Sequence, residues 1–319
     1  MEVNEKWFVI INPTAGRGRG LTDWPYISKL LRDHHVRHEY AFTERKYHAT
    51  ELAVEAIGNG FRQIIIVGGD GTIHEVVNGI FVQQQVPTRE VLLAVIAVGT
   101  GNDWIRMFGI ARKYSEAIRA IVERHSFLQD VGRVTYYESN YRQTRYMANV
   151  AGVGFDAFVI KRYVHGVGQG RGGRWIYLRC LLQALLKYHS TGVKMWIDDE
   201  VVVKDLVFSA TIGIGRYNGG GMLQVPEAVP DDGLFDVTVI RRMSLARIVY
   251  DFKLLFNGNI YRNEKVSMHR GRRIRFDSSP DIFVEVDGEL LGNTPVEFEI
   301  IDRAIRVVVA ERFLRQNQA

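Results

Sequence analysis

The chain has 319 residues, 46% of them hydrophobic and 24% charged, which is typical of a globular protein and argues against a chain dominated by disorder. Its formal net charge of +5 is too small for a dedicated nucleic-acid binder, so we expect no nucleic-acid partner. This mild basic excess suits a protein that handles anionic phosphates or an anionic membrane surface, with a solvated basic surface as an equal alternative.

The first 125 residues alternate short apolar runs with helical patterns. Apolar runs at residues 7–11, 64–67 and 91–98 predict buried strands. Helical patterns predict helices at residues 24–34, 48–57 and 115–124, and between residue 72 and residue 82. Continuous apolar strands that alternate with helices are typical of a parallel sheet covered on both faces. We therefore predict an α/β domain over residues 1–127.

From residue 129 onward, short β-rich runs predominate, which favours an antiparallel sandwich or barrel-like domain. Strands are expected at residues 131–137, 145–150, 193–197, 206–212, 235–240, 273–276, 282–286, 296–300 and 305–309, and helices at 175–188 and 245–256. We predict a β-rich domain over residues 128–304. Residues 305–319 form a C-terminal tail, and its return to the first domain is left open.

The cysteine count and the apolar runs also limit the location of the protein. The single cysteine, Cys180, excludes an intrachain disulfide framework or a zinc site built from cysteines. The first residues lack the features of a signal peptide, and no apolar run approaches the ~18–20 residues that span a bilayer. We expect a cytoplasmic protein with at most peripheral membrane contact, and a homodimer stays open.

Each apolar strand of the first domain is followed by a glycine-rich loop, at residues 12–20, 68–72 and 99–103. The carboxyl ends of parallel strands share one edge of the sheet, where backbone N–H groups and helix N-termini favour phosphate groups. Glycines could serve tight turns alone, but three such loops in register favour a phosphate site. Thr72 and Glu75 have the spacing of a capping box and predict that the second helix begins there.

The motifs resemble, in chain order, those of the diacylglycerol kinase catalytic domain superfamily, which includes bacterial lipid kinases, sphingosine kinases and ceramide kinases. Residues 67–72, Val-Gly-Gly-Asp-Gly-Thr, resemble its phosphate loop, and residues 12–16 and 99–106 resemble two further motifs. In the second half, the matching blocks are residues 149–157, 219–222, 226–234 and 287–289. The resemblance implies a first domain like those of NAD kinases and phosphofructokinases.

The resemblance implies an ATP-dependent lipid kinase that uses Mg²⁺ and transfers the γ-phosphate to a lipid hydroxyl. The residues implied at the nucleotide are Asn12, Thr43, Gly68, Gly69, Asp70, Gly71, Thr72, Gly99, Thr100 and Asn102. Asp70 is also a catalytic candidate, as a magnesium ligand or by orienting the attacking hydroxyl; an Asx-turn is the structural alternative.

Glu289 is the candidate general base, because a positioned carboxylate can accept the proton of an attacking alcohol. Taken locally, Asp287-Gly288 is a hairpin dipeptide and Glu289 could be an ordinary exposed strand residue. The match of residues 287–289 to the family motif favours the catalytic interpretation.

A second, structural cation is implied by the resemblance of residues 226–234. The Asp232 carboxylate would bind Mg²⁺ or Ca²⁺ together with the backbone carbonyls of Leu234 and Val229, an all-oxygen set that suits such cations. The alternative is that Asp232-Gly233 serves only as a turn.

Residues 161–189 mix basic and apolar side chains and are candidates for contact with a membrane surface. Arg171, Arg174 and Arg179 would face anionic headgroups. A core helix with a solvated basic edge is the alternative. The identity of the lipid stays open, since apolar pockets discriminate weakly between similar chains.

Two other functions are kept as alternatives. An NAD kinase or a sugar kinase would use the same Gly-Gly-Asp-Gly loop, but the Leu-Gly-Phe-Leu segment and Asn-Glu pair typical of NAD kinases are not found in the expected context. A nucleotide-gated lipid-binding module without turnover is the non-enzymatic alternative, and the presence of both Asp70 and Glu289 disfavours it.

Overall fold

The computed structural model of the chain describes residues 6–99, 102–139, 141–166 and 174–317. The residues divide into two compact units. Unit 1 comprises Met1–Val131, Gly219–Gly221 and Ile301–Ala319, and unit 2 comprises Gly132–Asn218 and Met222–Ile300. Residues 301–319 thus belong to unit 1, as does the short segment Gly219–Gly221, which the sequence analysis assigned to the second domain.

The secondary structure of the described residues consists of strands, helices and two 3₁₀ turns at Thr88–Glu90 and Ile260–Arg262. The strands are β1 (Trp7–Ile11), β2 (His38–Phe42), β3 (Gln63–Gly68), β4 (Leu92–Ala97), β5 (Ser126–Glu138), β6 (Tyr141–Met147), β7 (Val150–Gly154), β8 (Thr191–Ile197), β9 (Glu200–Gly213), β10 (Tyr217–Asn218), β11 (Met222–Leu223), β12 (Phe235–Arg241), β13 (Val266–Gly271), β14 (Arg273–Ser279), β15 (Phe283–Val286) and β16 (Glu289–Val308). The helices are α1 (Ala15–Thr22), α2 (Trp24–Asp33), α3 (His48–Gly58), α4 (Asp70–Val82), α5 (Asp103–Met107), α6 (Tyr114–Glu123), α7 (Phe155–Gly166), α8 (Arg174–Lys187), α9 (Leu245–Asp251), α10 (Leu254–Asn257) and α11 (Glu311–Asn317).

Unit 1 is built on a parallel sheet with the strand order β2-β1-β3-β4, extended beyond β4 by the end of β16. One face of the sheet packs against α2 and α6 in a core that includes Ile27, Leu31 and Ile118. The other face carries equally buried side chains such as Ile64 and Ile66. Burial on both faces explains the continuous apolar runs from which β1, β3 and β4 were predicted.

β2 was not predicted, because its sequence His-Glu-Tyr-Ala-Phe gives no buried apolar run. It lies at the edge of the sheet and pairs only with β1 among the described strands. An edge strand need not be covered by apolar side chains on both faces. The pairing with β1, and not the composition of β2, therefore determines its extended conformation.

Unit 2 is an antiparallel β-structure, as predicted. The pairings β9-β7-β15-β16-β14-β8-β9 close a ring of strands, with β12 and β13 added beside β9. The first half of β9 pairs with β8 and its second half with β7, so this long strand serves two sheets that enclose one apolar core. Such sharing is how a two-sheet sandwich becomes barrel-like.

Three predictions differ from the structure. The two strands expected at residues 296–300 and 305–309 belong to one long strand, β16. The helix expected at residues 245–256 is two short helices, α9 and α10, separated at Phe252 and Lys253. The strand expected at residues 145–150 is the end of β6 and the start of β7, because the chain leaves one pairing after Met147 and begins another at Val150. No helix within the described residues is long and apolar enough to span a bilayer.

Candidate functional site

The three glycine-rich loops meet at one edge of the unit 1 sheet. Gly68 at the end of β3 pairs with Ala97 at the end of β4, and the backbone N–H of Asn12, just after β1, donates to Val67 O at 2.9 Å. The first loop also bonds to the second, since Asn12 Nδ2 donates to Thr72 Oγ1 at 3.1 Å. The edge therefore combines side chains from segments that are 60 residues apart.

The first loop overlaps the start of α1, where three successive residues in the left-handed region interrupt the helix: Gly16 with φ 62°, Arg17 with φ 64° and Gly18 with φ 91°. A Cβ atom on Gly16 would lie 2.9 Å from Val98 Cγ1 and 3.0 Å from Gly99 N, so only glycine allows the first and third loops to approach this closely. A left-handed conformation at Arg17 is unfavourable for a residue with a side chain, and such conformations are concentrated at functional sites.

The second loop begins its helix earlier than predicted. α4 starts at Asp70 and its N-cap, Gly69, has no side chain, so the capping box expected at Thr72 and Glu75 is wrong. The Thr72 hydroxyl instead accepts the bond from Asn12. The Glu75 carboxylate accepts from the backbone N–H groups at the start of α3, at 3.0 and 3.1 Å. Thr72 and Glu75 have the spacing of a capping box, but both side chains form hydrogen bonds with other segments instead.

Gly71 lies in the first turn of α4 without a packing reason for glycine. A Cβ atom there would meet nothing within 4 Å, and its φ is not in the left-handed region. Glycine in a helix costs about 1 kcal/mol relative to alanine. An open surface at a helix N-terminus is what the close approach of a phosphate requires.

Asp70 has a structural role that the sequence analysis did not find. Its carboxylate accepts from the backbone N–H groups of Asp103 at 2.9 Å and Trp104 at 3.3 Å, and so caps α5 from another loop. These bonds differ from an Asx-turn within its own loop. A carboxylate is the kind of oxygen ligand that magnesium prefers, so the group also fits a magnesium ligand, directly or through water.

The third loop contributes a buried amide. Asn102 has φ 26° and is buried, and its Nδ2 finds no hydrogen-bond partner among the residues that the structure describes. Its Oδ1 lies close to Gly69, where a Cβ atom would be 2.9 Å away. A buried donor without a partner in this part of the chain fits a site for a polar ligand. Thr100 lies outside the described residues. The backbone N–H of Thr43 donates to Ile11 O at 2.8 Å, which places Thr43 at the same edge.

Asp103 is a buried residue whose role was missed. Its Oδ2 accepts from the backbone N–H of Gly220 at 2.6 Å, and Arg106 lies 3.7 Å from its other oxygen. Burial raises the pKa of Asp103, and the bond from Gly220 opposes that shift. This contact attaches the Gly219–Gly221 segment to unit 1. The signal was the triple glycine, which allows such an approach, but its partner cannot be read from a linear sequence.

Glu289 begins β16 in unit 2, directly after a tight hairpin turn. Asp287 has φ 49° and Gly288 has φ 86°, as expected for an Asp-Gly turn with two left-handed residues. The Gly288 N–H donates to Glu285 Oε2 at 2.9 Å. The predicted hairpin is therefore confirmed as a structural feature, and Glu289 is partly exposed beside it.

The hairpin is held in place by the side chain of Asp287. Its carboxylate accepts from three consecutive backbone N–H groups, those of Ala148, Asn149 and Val150, at 2.9, 3.0 and 3.1 Å. A carboxylate with three such donors is strongly oriented. These bonds attach Asp287, two residues before Glu289, to the start of β7.

Asp156 is a half-buried acid in unit 2 whose role was not predicted from the sequence. Its carboxylate accepts from Ser209 Oγ at 3.0 Å and Thr211 Oγ1 at 3.2 Å. Burial raises the pKa of this group, against the effect of these bonds. A Cβ atom on Gly152 would lie 2.8 Å from both Asp156 Cβ and Glu285 Oε1, so the two acids flank one glycine of β7. The Gly-Phe-Asp-Ala block at residues 154–157 was the available signal.

The surroundings of Asp232 bear on the implied structural cation. Asp232 Oδ1 accepts from the Leu234 N–H at 3.0 Å, and Oδ2 contacts the Arg270 guanidinium. Arg270 Nε also lies 2.9 Å from Asp236 Oδ1, and burial raises the pKa of Asp236 to about 6. The described residues contain no group of three or more His, Cys, Asp or Glu side chains suited to a metal. A cation held by Asp232 would compete with Arg270.

Comparison with known proteins gives two family matches. Residues 6–134 match the diacylglycerol kinase catalytic domain, and residues 149–309 match the YegS C-terminal NAD kinase beta sandwich-like domain. A Bacillus subtilis (strain 168) protein named as a candidate lipid kinase, YtlR, is 29% identical over 94% of this chain and 98% of its own length.

Two further relatives carry the name diacylglycerol kinase. The protein of Staphylococcus aureus (strain bovine RF122 / ET3-1) is 28% identical over 94% of this chain and 90% of its own. A crystal structure of a diacylglycerol kinase from Bacillus anthracis str. Sterne superposes with a TM-score of 0.72 and 24% identity, covering 97% of this chain and 98% of that one. The structural similarity concerns the fold.

Proposed function

Because the chain belongs to the diacylglycerol kinase catalytic domain family, with the YegS-type C-terminal domain, we propose that it is an ATP-dependent lipid kinase. The reaction would transfer the γ-phosphate of ATP to the hydroxyl of diacylglycerol or a related lipid. The observation that carries the proposal is the meeting of the three glycine-rich loops at one edge of the unit 1 sheet.

The nucleotide is assigned to this edge. The N-terminus of α4 would face the triphosphate across the open surface at Gly71. The Nδ2 of Asn102, which has no hydrogen-bond partner among the described residues, is a donor available to a phosphate or ribose oxygen. Asn12 and Thr72, already bonded to each other, would orient the loops around the ligand. Thr43, Gly68, Gly69, Gly99 and Thr100 complete the proposed nucleotide site.

Proton transfer is assigned to Glu289. As the lipid oxygen bonds to the γ-phosphorus, the bond from that phosphorus to the bridging oxygen breaks and ADP leaves. The hydroxyl proton passes to the Glu289 carboxylate. The hydrogen bonds of Asp287 support this role, because a base is effective only when its backbone is held in place.

Asp70 is proposed to hold Mg²⁺ directly or through a water molecule. A bound magnesium ion neutralises the charge of the phosphates during transfer. The bonds from Asp103 and Trp104 hold the carboxylate in one orientation, which supports a ligand role. A second cation at Asp232, Leu234 and Val229 stays a prediction, and it requires Arg270 to yield its contact.

A lipid acceptor resides in a bilayer, so the proposal includes peripheral association with the cytoplasmic face of a membrane. In the segment 161–189, Arg171 lies outside the described residues. Leu181 and Leu185 pack against a buried cluster that includes Phe155 and Phe208. This packing supports the core-helix alternative for part of the segment.

The test is incubation of the purified protein with Mg²⁺, ATP labelled in the γ-phosphate and a panel of lipids in detergent micelles. The expected result is label in the organic phase for at least one lipid alcohol. A parallel reaction with NAD in place of lipid tests the NAD kinase alternative. Labelled NADP without labelled lipid would overturn the proposal, and mass spectrometry of lipids that accumulate on overexpression would identify the acceptor.

A further inference from the structure

Residues 243–256 of unit 2 form a segment that is apolar in sequence yet not buried in the structure. Ten of its fourteen residues are apolar, and none of the fourteen is buried. They include Val249, exposed to 63%, and Phe256, exposed to 54%. Single exposed apolar residues are ordinary, but a continuous group of them marks an interaction surface. We call residues 243–256, which contain α9 and α10, the apolar segment.

The apolar segment is attached to unit 2 by few side chains. Ile248 packs against the cluster formed by Phe155, Val159, Ala184 and Phe208. Asp251, whose side chain is 12% exposed, accepts from Asn263 Nδ2 at 2.6 Å and contacts Arg247. These contacts hold the two short helices in place, while Leu245, Val249, Tyr250, Phe252 and Phe256 are exposed to solvent. Core packing therefore does not explain their composition.

The charged side chains of the apolar segment, with Arg242 directly before it, are basic except for one. Asp251 is its only acidic residue and is already paired with Arg247. Arg242 and Lys253 have no acidic partner among the residues that the structure describes, and Lys253 Nζ lies 4.8 Å from the centroid of the Tyr250 ring. An apolar surface with a basic border is complementary to an anionic lipid surface, where cations meet headgroups and apolar side chains enter the acyl boundary.

Helix α8 extends this surface. Its Leu181 and Leu185 pack on the same cluster as Ile248, whereas Leu182 and Leu186 are exposed. Two helices that meet in one buried cluster thus both present leucine or valine side chains to solvent. A second copy of the chain is a poorer occupant, because a two-fold contact would bring the unpaired cations toward their own copies.

We propose that the apolar segment inserts into the headgroup region of an anionic bilayer and holds the protein at the membrane. The inference rests on the proposed function, since a kinase with a lipid acceptor has to reach that acceptor in a bilayer. It assigns membrane insertion to α9 and α10, outside the segment 161–189 considered from the sequence.

The experiment measures partitioning onto vesicles of phosphatidylcholine alone and of an equimolar mixture of phosphatidylcholine and phosphatidylglycerol. The double variant Val249→Ser/Phe256→Ser is expected to lower the partition coefficient on the mixed vesicles by about tenfold or more, because two inserted side chains are lost. Lys253→Ala is expected to lower it about fivefold on the mixed vesicles and to leave binding to neutral vesicles unchanged.

The matched control is Val201→Ser/Tyr141→Ser, which removes side chains from unit 2 that are 49% and 73% exposed but lie outside the apolar segment. It is expected to bind the mixed vesicles like the wild type. Equal losses in both double variants, no vesicle binding by the wild type, or equal binding to both vesicle types would overturn the inference. So would a wild-type dimer that the Val249→Ser/Phe256→Ser variant converts to a monomer with unchanged vesicle binding.

Kinase activity measured in detergent micelles separates this inference from the proposed function. If the Val249→Ser/Phe256→Ser variant keeps its micellar activity while losing vesicle binding, both proposals are supported. If neither the wild type nor any variant phosphorylates a lipid in micelles, the proposed function fails. If the Val249→Ser/Phe256→Ser variant still binds the mixed vesicles less than the wild type does, the membrane surface is supported nevertheless.

Discussion

Asp70 in unit 1 and Asp287 in unit 2 perform the same structural task in two different settings. Asp70 is the first residue of α4, between two glycines, and Asp287 lies beside a glycine in a hairpin turn. Each carboxylate accepts hydrogen bonds from backbone N–H groups of a distant segment: residues 103 and 104 for Asp70, and residues 148–150 for Asp287. Asp70 is also proposed to act on the nucleotide, whereas Asp287 only positions the hairpin that carries Glu289. The comparison teaches that an aspartate in a Gly-Asp-Gly or Asp-Gly motif can connect distant segments of the fold whether or not it also has a catalytic role.

The largest expected effect tests whether phosphate transfer depends on Glu289, the residue that the Asp287 hairpin carries. Glu289→Gln is expected to lower kcat by about 10²–10⁴-fold while ATP affinity and thermal stability stay at wild-type values, because the amide cannot accept the proton. The measurement is the rate of labelled phosphate transfer to lipid in micelles. Glu297→Gln, a change on the same strand, is the control and should leave the rate unaltered. A Glu289→Gln variant with the wild-type rate would remove Glu289 from the mechanism.

The two aspartates are compared directly by their effects on stability. Asp287→Ala is expected to lower the free energy of unfolding by about 3 kcal/mol and Asp70→Ala by about 2 kcal/mol, since they leave three and two backbone donors without a charged acceptor. Denaturant unfolding measures both values. The exposed Asp277 serves as the control, with a change for Asp277→Ala of at most about 0.5 kcal/mol. If all three variants unfold alike, the carboxylates do not hold these segments.

Asp236 is the contrasting acid of unit 2, because burial outweighs its contacts with Arg270 and with the Val229 backbone and raises its pKa from 3.8 to about 6. A raised pKa means that the folded protein binds the proton more tightly, so stability decreases as the pH rises from 3.8 through 6. Asp236→Asn removes this cost and is expected to raise the free energy of unfolding at pH values well above 6 by about 1–3 kcal/mol.

Denaturant unfolding of the wild type and the Asp236→Asn variant over a range of pH checks this expectation. The difference should shrink as the pH falls below 6, since the wild-type carboxyl is then protonated in the folded state. A pH-independent difference, or a less stable variant above pH 6, would mean that Arg270 or a bound cation compensates the buried charge.

The smallest expected effect is on stability, and it distinguishes Gly16, which the fold requires, from Gly71, which a bound phosphate would require. Gly71→Ala is expected to raise the free energy of unfolding by about 0.5–1 kcal/mol, because the helix favours alanine, and to weaken ATP binding measured by calorimetry. Gly16→Ala is expected to destabilise the fold by about 1–2 kcal/mol, since its Cβ atom would meet Val98 and Gly99. Unchanged ATP affinity in the Gly71→Ala variant would place the phosphates elsewhere.

Much of the fold could be predicted because buried parallel strands have continuous apolar sequences and turns have characteristic residues. The strands before the three loops, the antiparallel second half and the Asp287-Gly288 hairpin all follow from such local preferences. The capping box at Thr72 and Glu75 was wrong because Asn12 and the start of α3 bind those side chains. The single helix at residues 245–256 was wrong because an apolar pattern does not reveal a break at Phe252 and Lys253.

The amino-acid sequence by itself determined the family, the two kinds of sheet, and the glycine-rich loops and acidic residues proposed for the site, because these depend on composition and short motifs. Only the tertiary structure decided what those acid groups contact. Asp70 caps α5, Asp103 binds Gly220 and Asp287 binds the start of β7, and each partner lies more than thirty residues away. Hydrogen bonds between distant segments depend on how the chain folds in space, and the local sequence around an aspartate contains no information about which backbone donors will reach it.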